Sequence, residues 1–173
     1  MRFTCTTCGR EHDGIPSYGS DRPTPYWDVP DDKLDKDVFL TQDSCVIADR
    51  FFFVRGCIEL PVVGTGEFFE WGVWVSLKEE NFFIWQDCYE SVQRSNIGPF
   101  FGWLCSRLPG YPETLYMKTM VHLRDNGIRP LIVPDKTDHP LSIEQRNGIT
   151  MERVQEIINL MEHSKSQKTE PAI

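Results

Sequence analysis

The chain has 173 residues, a formal net charge of −8 at pH 7 and 40% hydrophobic residues. This length predicts one domain over residues 1–163, followed by a flexible polar tail at 164–173. The acidic charge repels phosphate backbones, which excludes a general nucleic-acid-binding function and favours solubility or a basic protein partner.

The cellular compartment is inferred from two features of the sequence. The first five residues lack the apolar stretch of an export signal. The apolar runs, such as residues 51–54, are too short to span a bilayer. We therefore expect a cytoplasmic protein with no membrane contact, whose six cysteines are reduced thiols or metal ligands rather than disulfides.

The stretch CTTCGREH at residues 5–12 predicts a metal site. Cys5 and Cys8 are two residues apart, and His12 follows four residues later, so all three can reach one ion. Thiolate sulfur and imidazole nitrogen suit Zn²⁺ in tetrahedral geometry. Gly9 permits the backbone angles of such a tight turn. A redox function is less favoured, because too little chain precedes Cys5 to form the strand that a redox CxxC follows.

A structural zinc ion needs a fourth ligand, and we expect it to be Cys45. Cys45 ends the loop-rich segment and begins the first long β region, so it can bring the sheet edge against the knuckle. Asp43, His122 and His139 are the alternatives. A site with only three protein ligands would leave an open position, as catalytic zinc sites do.

Residues 16–43 are loop-like, because four prolines break regular structure there. The segment is also acidic, but it lacks the glycine and spacing of an EF-hand loop, which argues against calcium. A short helical turn is expected around residues 31–39.

From residue 45 onward the pattern is typical of β structure. Residues 46–47 and 51–62 predict two strands joined by a turn. Residues 68–77 alternate, which places four apolar side chains on one face and Trp74 on the other. The turn at 63–67 carries two glycines but not the three of a dinucleotide fingerprint.

The second half combines helices with further strands. Helical spacing predicts a helix at 78–92, with Phe82, Trp85, Cys88 or Tyr89, and Val92 on one face, and a last helix at 150–163 capped by Thr150. Residues 98–107 predict an aromatic strand. The Asn-Gly pair at 126–127 predicts a hairpin between residues 115–123 and 128–133.

Together these elements predict an α+β fold. A mostly antiparallel sheet of about five strands, formed within residues 45–163, packs against two helices, and a zinc-knuckle-like segment at 1–15 precedes it. Cys57, Cys88 and Cys105 lie among apolar neighbours and are expected in the core. Trp71, Trp74, Trp85 and Trp103 indicate an aromatic core, some of whose rings can line a binding surface.

Two further groups of residues merit a chemical interpretation. His139, oriented by Asp138 or Glu144, is a candidate partner for a nucleophilic Cys45, although Asp138 can also simply cap a short helix at 141–146. Arg55 and Glu59 share a strand face, which predicts an ion pair more readily than an anion site.

Several separate stretches resemble one bacterial family of uncharacterised proteins, the domain of unknown function (DUF) 2199. They are residues 3–12, 43–47, 52–56, 58–62, 72–77 and 137–141, with Gln145 and Gly148. The resemblance implies no established activity. It also favours Cys45 as the partner of Cys5, Cys8 and His12.

The functional hypothesis that follows is a non-enzymatic zinc-binding protein. Its structural metal would join the N-terminus to the α+β core, and it would act as a binding or inhibitor-type partner of another protein, favoured by acidic charge if that protein is basic. The alternative is a hydrolase that uses an open zinc position or the Cys45/His139 pair.

Overall fold

A computed structural model describes residues 2–4, 9 and 11–163, including their side chains except those of residues 3, 4, 12 and 163. The predicted ligands Cys5 and Cys8 and the predicted flexible tail at 164–173 lie outside the described residues.

Ten strands and four α-helices occur within this part of the chain. The strands are β1 (Arg2–Thr4), β2 (Glu11–Asp13), β3 (Ser17–Gly19), β4 (Val38–Leu40), β5 (Ser44–Ile47), β6 (Phe51–Pro61), β7 (Phe68–Leu77), β8 (Phe100–Leu104), β9 (Lys118–His122) and β10 (Leu131–Pro134). The helices are α1 (Leu34–Asp37), α2 (Glu79–Asp87), α3 (Pro140–Asn147) and α4 (Met151–Ile158). Short 3₁₀ turns at Thr24–Asp28, Asp31–Lys33 and Arg94–Asn96 and a π-helical turn at Asn159–His163 complete the description.

Five strands, β6 to β10, close into a barrel. Neighbours along the chain pair antiparallel, and β10 closes the ring by pairing in parallel with β6, where Leu131 lies opposite Cys57. β5 and β4 extend the sheet from β6, and β3 extends it from β7. The α+β class and the mostly antiparallel sheet are therefore confirmed.

The predicted counts of about five strands and two helices were too low. β3 and β4 have only three residues each, too few for an alternating pattern to be visible in the sequence. The predicted helical turn within 31–39 is confirmed as the 3₁₀ turn that leads into α1.

Two glycines allow the barrel strands to approach each other closely. A Cβ atom on Gly56 would lie 2.6 Å from the Ile132 side chain and 2.8 Å from the Pro130 carbonyl oxygen. A Cβ atom on Gly102 would lie 2.5 Å from the Ser76 carbonyl oxygen. Both glycines lie on strands of the barrel. Because glycine has no Cβ atom, the neighbouring strands can approach each other closely enough for the barrel to bend at these positions.

The hairpin of β6 and β7 is buried on both faces, which explains why its sequence is apolar almost throughout. One face forms the main core with residues of α2, α3 and α4. The other face carries a smaller cluster, which we call the outer cluster: Cys45, Ile47, Phe53, Trp74 and Cys105. Val29, Val38 and Leu40 cover this cluster from the segment that precedes β5. Trp74 lies on the opposite face from Phe69 and Trp71, as predicted.

The first predicted helix was too long. The apolar periodicity predicted a helix that continues to residue 92. In the structure, α2 ends at Asp87 and Val92 is 66% exposed. Beyond Cys88 the chain turns, so that the Tyr89 hydroxyl donates to Asp43 and the Tyr89 carbonyl accepts from Arg94. These tertiary hydrogen bonds outweigh the local helical pattern.

The last two helices have well-defined N-terminal caps. Thr150 caps α4 as predicted, since its hydroxyl accepts a hydrogen bond from the Arg153 N–H at 3.3 Å. The cap of α3 is His139 rather than Asp138, because His139 Nδ1 accepts from the Leu141 N–H at 3.2 Å. Proline at position 140 is suited to the first turn that follows.

The predicted ion pair between Arg55 and Glu59 was wrong. Their Cα atoms are four residues apart in a strand, a separation of about 13 Å. Instead, a guanidinium nitrogen of Arg55 lies 3.6 Å from a carboxylate oxygen of Asp21, and Glu59 forms an ion pair with Arg124.

The remaining predictions for the second half agree with the structure in part, since the predicted hairpin forms but one of the cysteines predicted in the core is only half-buried. β9 and β10 form the predicted antiparallel hairpin, and both Asn126 and Gly127 have positive φ. Cys57 and Cys105 are buried, while Cys88 is half-buried. None of the helices in the described part of the chain has the length and apolar character needed to cross a membrane.

Candidate functional site

A cleft of about 530 Å³ opens on the outer side of β5, β6 and β7. Its volume falls within the range of about 300–1,000 Å³ that ligand sites occupy. We call it the aromatic cleft, because its walls are mainly Ile47, Phe51, Phe53, Leu77, Trp103 and Tyr116. Pro25, Asp28 and Val29 close one side.

The strands position the aromatic side chains of the cleft. Phe51 begins β6 and Trp103 lies on β8, and their side chains are 52% and 41% exposed. The Trp103 backbone N–H donates to the Ser76 hydroxyl at 3.3 Å, which ties β8 to β7 beside the cleft. Large rings held on strands yet left accessible are typical of a contact surface.

Charged groups lie at the rim of the cleft, and its floor is apolar. Arg50 and Asp28 line the rim, and the Arg50 guanidinium lies 5.5 Å from the centre of the Phe51 ring. Burial raises the pKa of the Cys105 thiol, in the floor, to about 12. That thiol donates to the Trp103 carbonyl at 3.3 Å and remains uncharged at neutral pH.

A left-handed backbone conformation occurs at one residue that lines the cleft and at two residues in the turn beside it. Tyr116 lines it with φ 63°, and Ala48 and Asp49, with φ 53° and 49°, form the turn just before Arg50. The backbone N–H of Tyr116 donates to Leu104, and that of Ala48 donates to Asp37. Such conformations are costly for residues other than glycine and concentrate at functional sites, which supports this cleft as the candidate site.

Replacing Ala48 with glycine is expected to raise the free energy of unfolding by about 0.5 kcal/mol, because removing the left-handed strain outweighs the added entropy of the unfolded chain. Urea denaturation followed by tryptophan fluorescence measures this change. Ala48→Val should instead be strongly destabilising. A destabilised glycine variant would contradict the strained conformation.

A second cleft of about 300 Å³ lies on the other side of the same turn. We call it the carboxylate cleft. It is lined by the phenylalanines Phe39, Phe52, Phe82 and Phe83 and the carboxylates Asp49 and Glu79, together with Ser44, Val46 and Gln86. Phe52 borders both clefts.

The predicted zinc ligands are only partly described by the structure. Cys5, Cys8 and the His12 side chain lie outside the described residues, whereas Cys45 is described as a free and fully buried cysteine. Among the side chains that the structure describes, no group of three or more His, Cys, Asp or Glu residues is placed to hold a metal. The zinc site stays a prediction.

The sheet register bears on Cys45 as the fourth ligand. Cys45 pairs with Phe53, which pairs with Ser76, whereas β3 begins opposite Glu70. Glu70 and Ser76 are about 20 Å apart along β7. Because β3 runs parallel to β7, the chain before Ser17 heads away from Ser76. A site shared with Cys45 therefore requires that chain to turn back along the sheet.

The structure does not bring Cys45 and His139 together. Cys45 belongs to the outer cluster, whereas His139 caps α3, whose Leu141 packs in the main core on the opposite face of the sheet. Burial raises the pKa of the Cys45 thiol to about 11. A protonated thiol far from a general base is a poor nucleophile.

Cysteine alkylation at pH 7.5 is expected to modify Cys88 well before Cys45, Cys57 or Cys105 in the folded protein after a chelator has removed any bound metal. The three buried thiols are protonated and inaccessible, and reaction at Cys45 should rise only as the pH approaches its pKa of about 11. Peptide mass mapping after a time course with iodoacetamide measures the order. Rapid modification of Cys45 would indicate an activated thiol and favour the hydrolase alternative.

Sequence reasoning missed Tyr116, Arg50 and Asp28 as members of one site. They come from three distant parts of the chain, and only the sheet order brings them together. Trp103 was recognised as aromatic surface or core. Its exposure depends on β8, whose alternation of buried and exposed residues leaves Phe101 and Trp103 outside.

A family comparison bears on the chain as a whole. The family described as "Uncharacterized protein conserved in bacteria (DUF2199)" matches residues 4–149. The chain belongs to this family. The resemblance seen in the sequence is thereby confirmed. The matched region includes every strand from β2 to β10 but not α4. No curated protein and no solved structure matches the chain.

Proposed function

We propose that this DUF2199 protein is a non-enzymatic binding protein that takes an apolar side chain of a basic protein partner into the aromatic cleft. The observation that carries the proposal is the cleft itself, a cavity of about 530 Å³ with accessible aromatic walls and an uncharged floor. Buried aromatic anchors supply much of the energy of protein–protein contacts.

The surface beside the aromatic cleft favours a basic partner. The rim itself carries both Asp28 and Arg50, but the segment 28–37, which covers the outer cluster, contains five aspartates and two lysines and so has a net charge of −3. The whole chain carries a net charge of −8. Acidic charge around an apolar pocket accelerates encounter with a basic protein and disfavours acidic ones.

Exposed aromatic side chains extend the same surface. Trp27 is 67% exposed and stacks edge-on against Tyr26, and the Arg22 guanidinium lies 5.2 Å from the Trp27 ring. Trp27 directly precedes Asp28 of the cleft rim. Aromatic residues next to this acidic segment supply contact area around a central anchor.

The proposal includes a structural Zn²⁺ held by Cys5, Cys8, His12 and Cys45. Antiparallel pairing of β1 with β2 sets Phe3 opposite His12 and Thr4 opposite Glu11, so the CxxC stretch connects two paired strands. Gly9, between them, has the positive φ of a tight turn. Cys45 is a free cysteine, as a zinc ligand must be.

Metal content per chain tests the zinc part of the proposal. Elemental analysis should find one zinc per wild-type chain, retained in His139→Ala and lost in Cys8→Ala and Cys45→Ala. Retention in Cys45→Ala would replace Cys45 as the fourth ligand. A metal-free wild-type protein would remove zinc from the proposal without affecting the aromatic cleft.

Capture of a partner from the lysate of the cells that make the protein tests the binding function. Trp103→Ala should lower capture at least tenfold at unchanged fold, because it removes an accessible wall of the cleft. Ile128→Ala is the matched control, since Ile128 is 52% exposed and does not line the cleft. Capture should also weaken with added salt.

Two results would contradict this function. Equal capture by the wild type and Trp103→Ala would exclude the aromatic cleft as the contact. A small molecule found in the cleft by native mass spectrometry, with no protein captured, would replace a protein partner by a small ligand.

A further inference from the structure

The carboxylate cleft combines two features that together define a chemical class of ligand. Three of its rings form a connected group, because the centre of the Phe52 ring lies 5.2 Å from that of Phe82 and 5.9 Å from that of Phe83. Phe39 and Phe83 keep 66% and 46% of their surface exposed. Accessible aromatic faces attract organic cations.

The charges of the cleft have one sign. Asp49 and Glu79 are exposed and line the cleft, and no lysine or arginine lines it. The ion pairs formed among the described residues use other carboxylates. Two carboxylates beside phenylalanine rings, with no cation among the lining residues, match a group that is both positively charged and flat.

We propose that the carboxylate cleft binds a guanidinium group and receives an arginine side chain of the protein partner. This inference rests on the proposed function and names the chemistry of the partner. The guanidinium plane stacks on the Phe39 or Phe83 ring while its N–H groups donate to Asp49 and Glu79. Guanidinium suits this site better than ammonium, because it is planar and more weakly hydrated.

The relation between the two clefts explains how one partner segment fills both. The turn at residues 47–50 separates them: Ile47 and Arg50 face the aromatic cleft, and Asp49 faces the carboxylate cleft. Phe52 borders both. A segment that crosses this turn can insert an apolar side chain on one side and an arginine on the other.

A titration monitored by backbone amide chemical shifts tests the inference on the full chain. The probe is N-acetyl-arginine amide, and the comparison is N-acetyl-citrulline amide, whose neutral urea group has nearly the same shape. We expect saturable shifts at Phe39, Asp49 and Phe83 with the arginine probe, and at least tenfold weaker binding of citrulline.

Variants identify the groups responsible. Asp49→Asn combined with Glu79→Gln should weaken arginine binding at least tenfold. Glu80→Gln is the matched control, because Glu80 shares the first turn of α2 with Glu79 but does not line the cleft. The control therefore removes a similar interaction with the helix dipole and should bind normally.

The outcomes separate this inference from the proposed function. Equal binding of citrulline, normal binding by the double variant, or shifts that never saturate would each overturn the arginine site. If partner capture depends on Trp103 but not on Asp49 and Glu79, the arginine site fails and the proposed function stands. If arginine binds as described but Trp103→Ala captures normally, the aromatic cleft fails instead.

Discussion

Replacing Arg94 with methionine is expected to lower the free energy of unfolding by about 2–4 kcal/mol, because it removes the buried donor group that three backbone carbonyl groups share. Arg94 is fully buried. Its guanidinium donates to the carbonyl oxygens of Arg124 at 2.5 Å, Tyr89 at 2.7 Å and Ile128 at 2.9 Å. One side chain thus joins the turn after α2 to both ends of the loop between β9 and β10.

The loss of stability expected for Arg94→Met comes more from the geometry of the three hydrogen bonds than from the charge of the guanidinium. Burial lowers the pKa of the guanidinium, yet arginine remains charged at any pH at which the protein folds. Arg94→Lys should also be strongly destabilising, because an ammonium group cannot reach three acceptors arranged for a planar fork.

Urea denaturation of Arg94→Met beside Arg107→Met measures this effect. Arg107 is 59% exposed and pairs with Glu113 at 3.0 Å, so its replacement should change the stability by less than about 0.5 kcal/mol. A loss at Arg94 as small as that at Arg107 would mean that water replaces the guanidinium, and would contradict the buried network.

Replacing Trp74 with alanine is expected to lower the free energy of unfolding by about 3–5 kcal/mol, the usual range for removing a buried tryptophan. Trp74 is fully buried in the outer cluster, and its indole N–H donates to the Ser20 carbonyl at 3.0 Å. The Arg55 guanidinium lies 5.9 Å from its ring. The change therefore leaves both a cavity and an unpaired carbonyl.

Thermal and urea denaturation should rank three variants at this cluster. Trp74→Phe keeps most of the volume and loses the hydrogen bond, so a loss of about 1–2 kcal/mol is expected. Trp27→Ala, at a tryptophan that is 67% exposed, should be nearly neutral. Equal stability of Trp74→Ala and Trp27→Ala would show that the outer cluster does not hold the covering segment in place.

The strands that the sequence predicts well are the long ones with clear alternation. β7 was predicted with its bounds, and the burial of Phe69, Trp71 and Val73 on one face follows from a period of two. The Asn-Gly turn and the Thr150 cap were also predicted correctly, because each depends only on residues that are neighbours in the sequence.

The barrel itself has no local signal. Its closure depends on the pairing of Leu131 with Cys57, and nothing near either residue indicates the other. The aromatic cleft could not be predicted from the sequence for the same reason. Tyr116 and Phe51 line one cleft only because β8 and β6 lie on either side of β7. The apolar runs predicted burial correctly but did not predict which rings stay accessible.

The parallel closure of the barrel also sets the order in which the chain can fold. The β6–β7 hairpin has local contacts and can form as soon as residue 77 is available. The β6 edge at Cys57, however, stays unpaired until β8, β9 and β10 have all been synthesised. Long-range pairing of this kind slows folding and leaves an open strand edge in the meantime. A nascent chain that ends before β10 therefore exposes an unpaired strand edge on β6. We expect chains truncated before β10 to require chaperones or to aggregate.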